Sequence, residues 1–112
     1  MKVAISTKGR MGLDDEVSNV FGRAETFTIV ELEGGNVKSV NVLENPALSY
    51  THGAGPIAVK TLVDAGVDFV ITSELGIGVS TLLQQHNIKW RIVRAGTKVR
   101  DAIEELIREG GR

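Results

Sequence analysis

The residues of this chain that could do chemistry are concentrated in two glycine-rich turns. One turn carries Gly53 and Gly55 directly after His52, and the other carries Gly76 and Gly78. Each turn precedes a segment that we predict to be helical. The first backbone N–H groups of a helix have no intrahelical acceptors and lie at the positive end of the helix dipole, where they bind anions. The two turns therefore indicate a binding pocket before they indicate catalysis.

His52 and Arg23 are the side chains that could complete such a pocket. Imidazole has a pKa near neutrality, so His52 could ligate a metal or cofactor or donate to an anion. The ordinary alternative is an exposed loop histidine. Arg23 could hold an anion across the pocket, or it could pair with a nearby carboxylate. His86 falls on the apolar side of a predicted helix, near its C-terminal end, and we interpret it as structural.

No catalytic set can be assembled from the sequence, so we do not expect an enzyme. The hydroxyl residues that end predicted strands lack the Gly-x-Ser-x-Gly elbow of serine hydrolases. No phosphate-binding loop of the Gly-x4-Gly-Lys-Ser/Thr type is present, and the second glycine turn lacks the later glycine of a dinucleotide fingerprint. Asp14 and Asp15 fit a solvated turn. Glu74 has no evident partner for acid–base chemistry.

Composition restricts the class of protein. The chain has 112 residues, 42% of them apolar, which predicts one domain spanning residues 1–112. The formal net charge of −1, without runs of like charge, does not suggest a nucleic-acid partner. The absence of cysteine excludes disulfides and thiolate metal sites. No apolar run is long enough for a signal peptide or a membrane span, so we expect a cytoplasmic protein with no membrane partner.

Hydrophobic patterns predict an α/β protein with the element order β-β-β-α-β-α-β-α. The predicted strands cover residues 3–5, 27–32, 37–43, 67–73 and 90–93, with a hairpin turn at residues 34–36. One helix should begin at Pro56 and stop at Gly66, and a second should cover residues 79–86. Thr97 is predicted to cap the third. Residues 8–20 are predicted to form a loop that could contain local order.

The element order implies a mixed five-stranded sheet in which the second half of the chain adds parallel strands. Tracing the strand directions brings the loop of residues 8–20, Arg23, Asn45 and both glycine turns to one edge. In such sheets, ligands bind at the carboxyl ends of the parallel strands. We therefore expect the two turns to contribute to one site.

Four short motifs occur in an order that resembles a known family. They are Phe-Gly-Arg-Ala at 21–24, Glu-Asn-Pro at 44–46, His-Gly-Ala-Gly at 52–55 and Ala-Gly-Val-Asp at 65–68. Together they resemble the dinitrogenase iron–molybdenum cofactor biosynthesis family, which includes NifX-like proteins and the C-terminal domain of NifB-like proteins. The resemblance covers nearly the whole chain. It implies a ribonuclease-H-like fold and non-enzymatic binding or carriage of a metal–sulfur cofactor or its precursor.

The resemblance gives the predicted pocket an occupant, a molybdenum- or iron-containing metal–sulfur cluster. His52 would be the metal ligand, while Arg23 and the backbone at Gly53, Gly55, Gly76 and Gly78 would offset the cluster's negative charge. A protein partner in cofactor assembly would then exchange the cluster with this chain. Two alternatives remain open from the residues: a binding module for a small anionic ligand, and a regulatory domain whose output is a protein contact.

Overall fold

Residues 1–110 are described by a computed structural model, in which a five-stranded sheet carries helices on both faces. The predicted order of strands and helices is confirmed. The strands are β1 (Lys2–Thr7), β2 (Thr26–Glu33), β3 (Asn36–Glu44), β4 (Phe69–Thr72) and β5 (Lys89–Ile92), and the helices are α1 (Ala54–Asp64), α2 (Ile77–Gln85) and α3 (Val99–Arg108). Two short 3₁₀ helices cover Gly12–Asp14 and Pro46–Ser49.

The sheet is mixed, with the strand order β3-β2-β1-β4-β5. β2 runs antiparallel to both of its neighbours, whereas β1, β4 and β5 are parallel. The carboxyl ends of β1, β3, β4 and β5 therefore meet the amino end of β2 at one edge of the sheet. This edge, called the upper edge below, is where Thr7, Thr26, Glu44, Thr72 and Ile92 lie. The predicted strand directions are confirmed.

Each face of the sheet has its own apolar core. One face packs against α1 and α2 through the buried residues Ala4, Phe27, Ile29, Val70, Ala58, Val59, Leu62 and Leu83. The other packs against α3 through Val3, Ile5, Val30, Phe69, Ile71, Val99, Ala102, Ile103 and Leu106. Because β1 and β4 are covered on both faces, their sequences are continuous buried runs instead of alternating ones.

All three helices begin at residues other than those predicted, and α2 begins at Ile77 instead of residue 79. α1 starts at Ala54, before Pro56, because Gly53 takes a left-handed conformation with φ of 76° and its carbonyl accepts the first helical hydrogen bond, from Ile57. The prediction that Thr97 caps α3 is wrong. Its Oγ1 donates to the carbonyl of Arg94 at 2.6 Å, and the residue before the helix is Lys98.

The segment between β1 and β2 is more ordered than the predicted loop. After its 3₁₀ turn it runs extended, with Ser18 N donating to Ser6 O at 2.8 Å and Val17 N donating to Thr97 O at 2.8 Å. Asp15 is buried, and its carboxylate accepts from Met11 N at 3.0 Å and Glu16 N at 2.7 Å. The interpretation of Asp15 as a solvated turn residue is therefore wrong. Its carboxylate closes the turn.

Exposed ion pairs attach the same segment to its neighbours. Arg10 pairs with Glu44 at the end of β3, and Arg100 in α3 pairs with Asp14 at 2.8 Å. Hydrogen bonds from the arginines lower the pKa of Glu44 and of Asp14, and Lys8 lowers the pKa of Glu16 in the same way. The three carboxylates are therefore favoured in their charged forms by the fold.

Stability should fall as the pH is lowered through the titration of these carboxyl groups. Each folded pKa lies below the unfolded value, so the contribution is complete above the unfolded pKa and is lost as the pH falls through the folded pKa. We expect the urea midpoint to decrease between about pH 5 and about pH 3. The decrease should be modest because the pairs are exposed. The triple variant Asp14→Asn, Glu16→Gln, Glu44→Gln should show a shallower decrease, and equal slopes would contradict the assignment.

Candidate functional site

Arg23 positions the turn that carries His52. Its Nη2 donates to the carbonyls of Tyr50 at 2.8 Å and Thr51 at 3.0 Å, so the guanidinium holds the chain directly before the histidine. The sequence left open an ion pair between Arg23 and a nearby carboxylate. In the structure Arg23 donates to these backbone carbonyls instead. Within residues 1–110, the remaining Arg23 donors have no protein acceptor, and they face solvent with the exposed side chain.

Asn45 holds the segment on which Arg23 lies. The side chain is buried, and its Nδ2 donates to the carbonyls of Gly22 and Ala24 at 2.9 Å each. Its Oδ1 accepts from Ala47 N at 3.1 Å. Sequence reasoning placed Asn45 at this edge without giving it a role. An asparagine directly before a proline was the available signal, since its short amide commonly satisfies neighbouring backbone groups.

Glu74 and Ser73 attach the second glycine turn to the same segment. Glu74 Oε1 accepts from Phe21 N at 3.1 Å, and Ser73 Oγ donates to Ser18 O at 2.6 Å. The Glu74 carboxylate therefore fixes the position of a loop, which agrees with the absence of an acid–base partner in the sequence. The turn before α2 is thus held beside the Phe-Gly-Arg-Ala motif.

Two glycines allow the backbones of these segments to touch. A Cβ added to Gly22 would lie 3.0 Å from the backbone N of Gly55, and a Cβ added to Gly55 would lie 2.7 Å from Val79 Cγ2. Gly55 is therefore enclosed between the Phe-Gly-Arg-Ala motif and α2. The sequence suggested Gly55 as a ligand-binding glycine. The structure gives it a packing role, and its predicted contact with a ligand remains a prediction.

Gly76 and Gly78 differ from the other glycines of residues 1–110. Each of the others either has a positive φ or has a neighbouring atom within 4 Å of its added Cβ. Gly76 and Gly78 have neither. Gly78 lies in the first turn of α2, where glycine costs about 0.5–1 kcal/mol relative to alanine, so the fold by itself gives no reason for it. Gly76 is the residue directly before α2, a position where glycine is common. The bare backbone of both glycines faces open space at the start of α2.

The start of α2 also has uncovered N–H groups. Ser80 N donates to the carbonyl of Gly76, but Ile77, Gly78 and Val79 have no N–H acceptor within the described part of the chain. At the start of α1, by contrast, Pro56 has no N–H and Gly55 N lies against Gly22. Of the two predicted anion sites, the turn before α2 is therefore the open one.

The two histidines lie at different ends of the molecule. His52 is exposed in the turn before α1, at the upper edge, and none of residues 1–110 forms a hydrogen bond with its side chain. His86 is exposed at the C-terminal end of α2. It lines a groove of about 320 Å³ between α1 and α2 together with Lys60, Asp64 and Leu82. His86 therefore does not belong to the upper-edge site.

The hydroxyl groups beneath the upper edge bond to one another. Ser6 Oγ lies 2.8 Å from Thr72 Oγ1, and Thr7 Oγ1 lies 2.6 Å from Thr26 Oγ1 and 3.0 Å from Thr28 Oγ1. All five side chains are buried, so these contacts satisfy polar groups at the ends of buried strands. They are structural contacts.

The upper-edge site offers hydrogen-bond donors and few metal ligands. Within residues 1–110, no three His, Asp or Glu side chains converge to hold a metal ion. The available groups are the N–H donors at the start of α2, the free donors of Arg23 and the imidazole of His52. None of the helices described in residues 1–110 is long and apolar enough to cross a bilayer. The site is suited to an anion approached mainly through N–H groups.

Comparison with known proteins identifies the family. The sequence profile of the family described as dinitrogenase iron–molybdenum cofactor matches residues 1–109. The chain belongs to this family. A curated relative, the protein MJ0580 of Methanocaldococcus jannaschii, is 31% identical over 97 residues, covering 87% of this chain and 80% of the relative. The resemblance inferred from the four motifs is confirmed.

Solved structures of family-like proteins share the fold. The apo form of the orange protein from Desulfovibrio gigas superposes with a TM-score of 0.86 and 28% identity, covering 98% of this chain and 88% of that protein. The NifB-type protein TM1290 from Thermotoga superposes with a TM-score of 0.73 and 34% identity, covering 98% of this chain and 89% of that protein. Membership of the family associates this chain with the iron–molybdenum cofactor of dinitrogenase.

The different roles of the glycines can be measured as stability differences. Gly55→Ala should lower the free energy of unfolding by about 1–3 kcal/mol, because the new methyl group collides with Val79. Gly78→Ala meets no atom within 4 Å and should leave stability unchanged or raise it by up to about 1 kcal/mol. Urea unfolding checks both variants. Adding Val79→Ala to Gly55→Ala should recover part of the loss, and equal effects of the two alanines would contradict the packing role.

Proposed function

We propose that the protein binds and carries an anionic metal–sulfur cluster, an iron–molybdenum cofactor or a related precursor, at the upper edge of its sheet. The observation that carries the proposal is the bare, uncovered start of α2. Gly76 and Gly78 leave the backbone open there, and three neighbouring N–H groups have no acceptor within residues 1–110. Family membership supplies the class of ligand.

The cluster is cargo, and hydrogen bonds hold most of it. The chain has no cysteine, so cluster sulfides face N–H donors instead of sharing a metal with protein thiolates. Hydrogen bonds to a charged acceptor contribute about 1.5–3 kcal/mol each, so several donors give useful affinity without coordination. His52 would supply a side-chain metal ligand at this edge, and Arg23 would supply a positive charge and its free donors.

Binding without catalysis fits the same residues. The buried hydroxyls bond to each other, and Glu74 is occupied by the N–H of Phe21. A carrier needs reversible retention and an accessible cargo, and an open edge provides both. A protein partner in cofactor assembly would deliver or receive the cluster there.

The strand order β3-β2-β1-β4-β5, with only β2 reversed, supports the ribonuclease-H-like classification for a single domain.

The double variant Gly76→Ala, Gly78→Ala tests the open backbone. Two methyl groups would occupy the space over the N–H donors while leaving the core untouched. After anaerobic reconstitution with an iron–molybdenum–sulfur cluster, we expect its retention to weaken about tenfold or more, the equivalent of one lost charged hydrogen bond. Metal content and visible absorption after gel filtration measure retention. Retention equal to that of the unmodified protein, with stability unchanged, would contradict this assignment.

His52→Ala tests the predicted metal ligand, with His86→Ala as the matched control. We expect His52→Ala to weaken retention and alter the visible spectrum, because a metal ligand is lost. His86→Ala should leave both unchanged, since that histidine lies at the opposite end of α2. Equal spectra and metal contents in both variants would remove His52 from the site.

A colourless, metal-free protein would favour the other anion-binding function. In that case, ligands with phosphate or carboxylate groups should raise the melting temperature, because a ligand stabilises the state it binds. The open N–H groups of α2 would then serve a small anion. The same double glycine variant should abolish the increase, which keeps the location of the site testable under either ligand.

A further inference from the structure

The outer face of α2 lacks the charges found on the other helices. Residues 75–88 contain no Asp, Glu, Lys or Arg, although these residue types make up 24% of the chain. The exposed side chains of α2 are Ile77, Thr81, Gln84 and Gln85. By contrast, α1 exposes Lys60 and Asp64, and α3 exposes Arg100, Asp101, Glu104, Glu105 and Arg108. Depletion of charge distinguishes the core of a protein interface from ordinary surface.

The strand beside α2 has an unpaired edge. β5 is the last strand of the sheet and, among residues 1–110, pairs only with β4. Lys89 N donates to Asp68 O at 3.3 Å and Val93 N donates to Thr72 O at 2.9 Å, so these two residues direct their backbone groups towards β4. The intervening alternation directs the backbone groups of Trp90 and Ile92 outwards. These outward groups are available to another strand.

We propose that a second copy of this chain pairs with β5 in antiparallel register centred on Arg91. In this register Trp90 of each copy lies opposite Ile92 of the other, and the outward backbone groups of both residues form the hydrogen-bonded pairs. An aromatic residue opposite a β-branched one is a favourable cross-strand pair. The contact is isologous, so the same patch serves both copies and the assembly closes as a dimer.

The charged residues of β5 do not oppose this register. Arg91 lies opposite itself, on the face of the sheet covered by α3, and each Arg91 forms an ion pair with Glu109 of its own chain. The two guanidinium charges are therefore each compensated. Lys89 lies opposite Val93, so no second pair of like charges is formed.

The surface above β5 is also self-complementary. Ile77, at the upper end of α2, is 87% exposed, and Ile92 is 52% exposed. At the lower end of α2, a groove of about 320 Å³ is lined by Gln84, Asn87, Ile88, Lys89 and Trp90. Antiparallel pairing brings the upper end of α2 in one copy to the level of this groove in the other. An exposed isoleucine thus meets an apolar groove across the two-fold axis.

The outer strand on the other side of the sheet, β3, is less suited to pairing with a second copy. The pairing of β3 with β2 is interrupted by a bulge at Glu31 and Leu32, and ion pairs lie near both ends of the strand, Lys38 with Glu33 and Arg10 with Glu44. Bulges and charges are the usual devices that block edge pairing. The pairing of β4 with β5 has no bulge, so β5 is the more regular of the two outer strands and the one we assign to the dimer interface.

Light scattering coupled to gel filtration tests the dimer on the full chain, from about 5 μM to about 500 μM. We expect the mass to rise towards that of two chains. Trp90 is the only tryptophan, so its emission should shift to shorter wavelength over the same range as the residue becomes buried. A monomer throughout this range would overturn the proposal. Binding of a different protein to this face by a chain that stays monomeric would overturn it as well.

Ile92→Glu tests the location of the interface, with Val37→Glu on β3 as the matched control. Both replace an exposed apolar strand residue. Ile92→Glu should raise the dissociation constant about tenfold or more, because it places an unpaired carboxylate beside Trp90. Val37→Glu should leave it unchanged. A circular dichroism spectrum identical to that of the unmodified chain shows that each variant folds, and a dimer equally stable in folded Ile92→Glu would overturn the assignment to β5.

Discussion

The close approach of three backbone segments at Gly22, Gly55 and Val79 is the constraint on which the upper edge depends. Gly22 lies against the backbone of Gly55, and Gly55 lies against the side chain of Val79, with no room for a Cβ at either glycine. The start of α1 is therefore enclosed between the chain entering β2 and the helix that follows β4. Because these segments belong to distant parts of the sequence, the contact brings Arg23, His52 and the turn before α2 to one place. Hydrogen bonds from Asn45 and to Glu74 then fix their relative positions.

This packing separates glycines that serve the fold from glycines that leave a surface open. Gly53 takes a left-handed conformation and Gly55 allows close packing, so both have a structural reason. Gly78 has none within residues 1–110, whereas Gly76 directly precedes α2, a position where glycine is common. The N–H groups beside both glycines have no acceptor among these residues. In this chain the start of α1 therefore forms a packing contact. The start of α2 presents the N–H donors that we propose for an anionic cluster. Arg23 holds the His52 turn, and we propose that its remaining donors serve the cluster.

The sequence predicts this architecture well where the signal is local or periodic. Runs of β-branched and aromatic residues located the strands, the glycine–asparagine turn located the hairpin, and strand directions placed both glycine turns at one edge. Signals fail where a distant contact decides the role of a residue. Gly55 has the sequence environment of a ligand-binding glycine, and only the positions of Gly22 and Val79 assign it to packing. Thr97 has the residue type of a helix cap, but the carbonyl of Arg94 takes its hydroxyl. Asp15 lies in a glycine-bearing loop and is charged, yet it is buried and its carboxylate accepts from the backbone N–H groups of Met11 and Glu16.

Nuclear magnetic resonance of ¹⁵N-labelled protein can locate an anion bound at the start of α2, with tetrathiomolybdate as a soluble anion that contains both molybdenum and sulfur. We expect the amide signals of Ile77, Gly78 and Val79 to shift together with the ring signals of His52 as the anion is added, because charged hydrogen bonds form at the start of α2. Signals of His86 and of the groove between α1 and α2 should not change. Shifts confined to that groove, or unchanged amide signals at residues 77–79 with the anion bound, would show that the start of α2 is not the binding site.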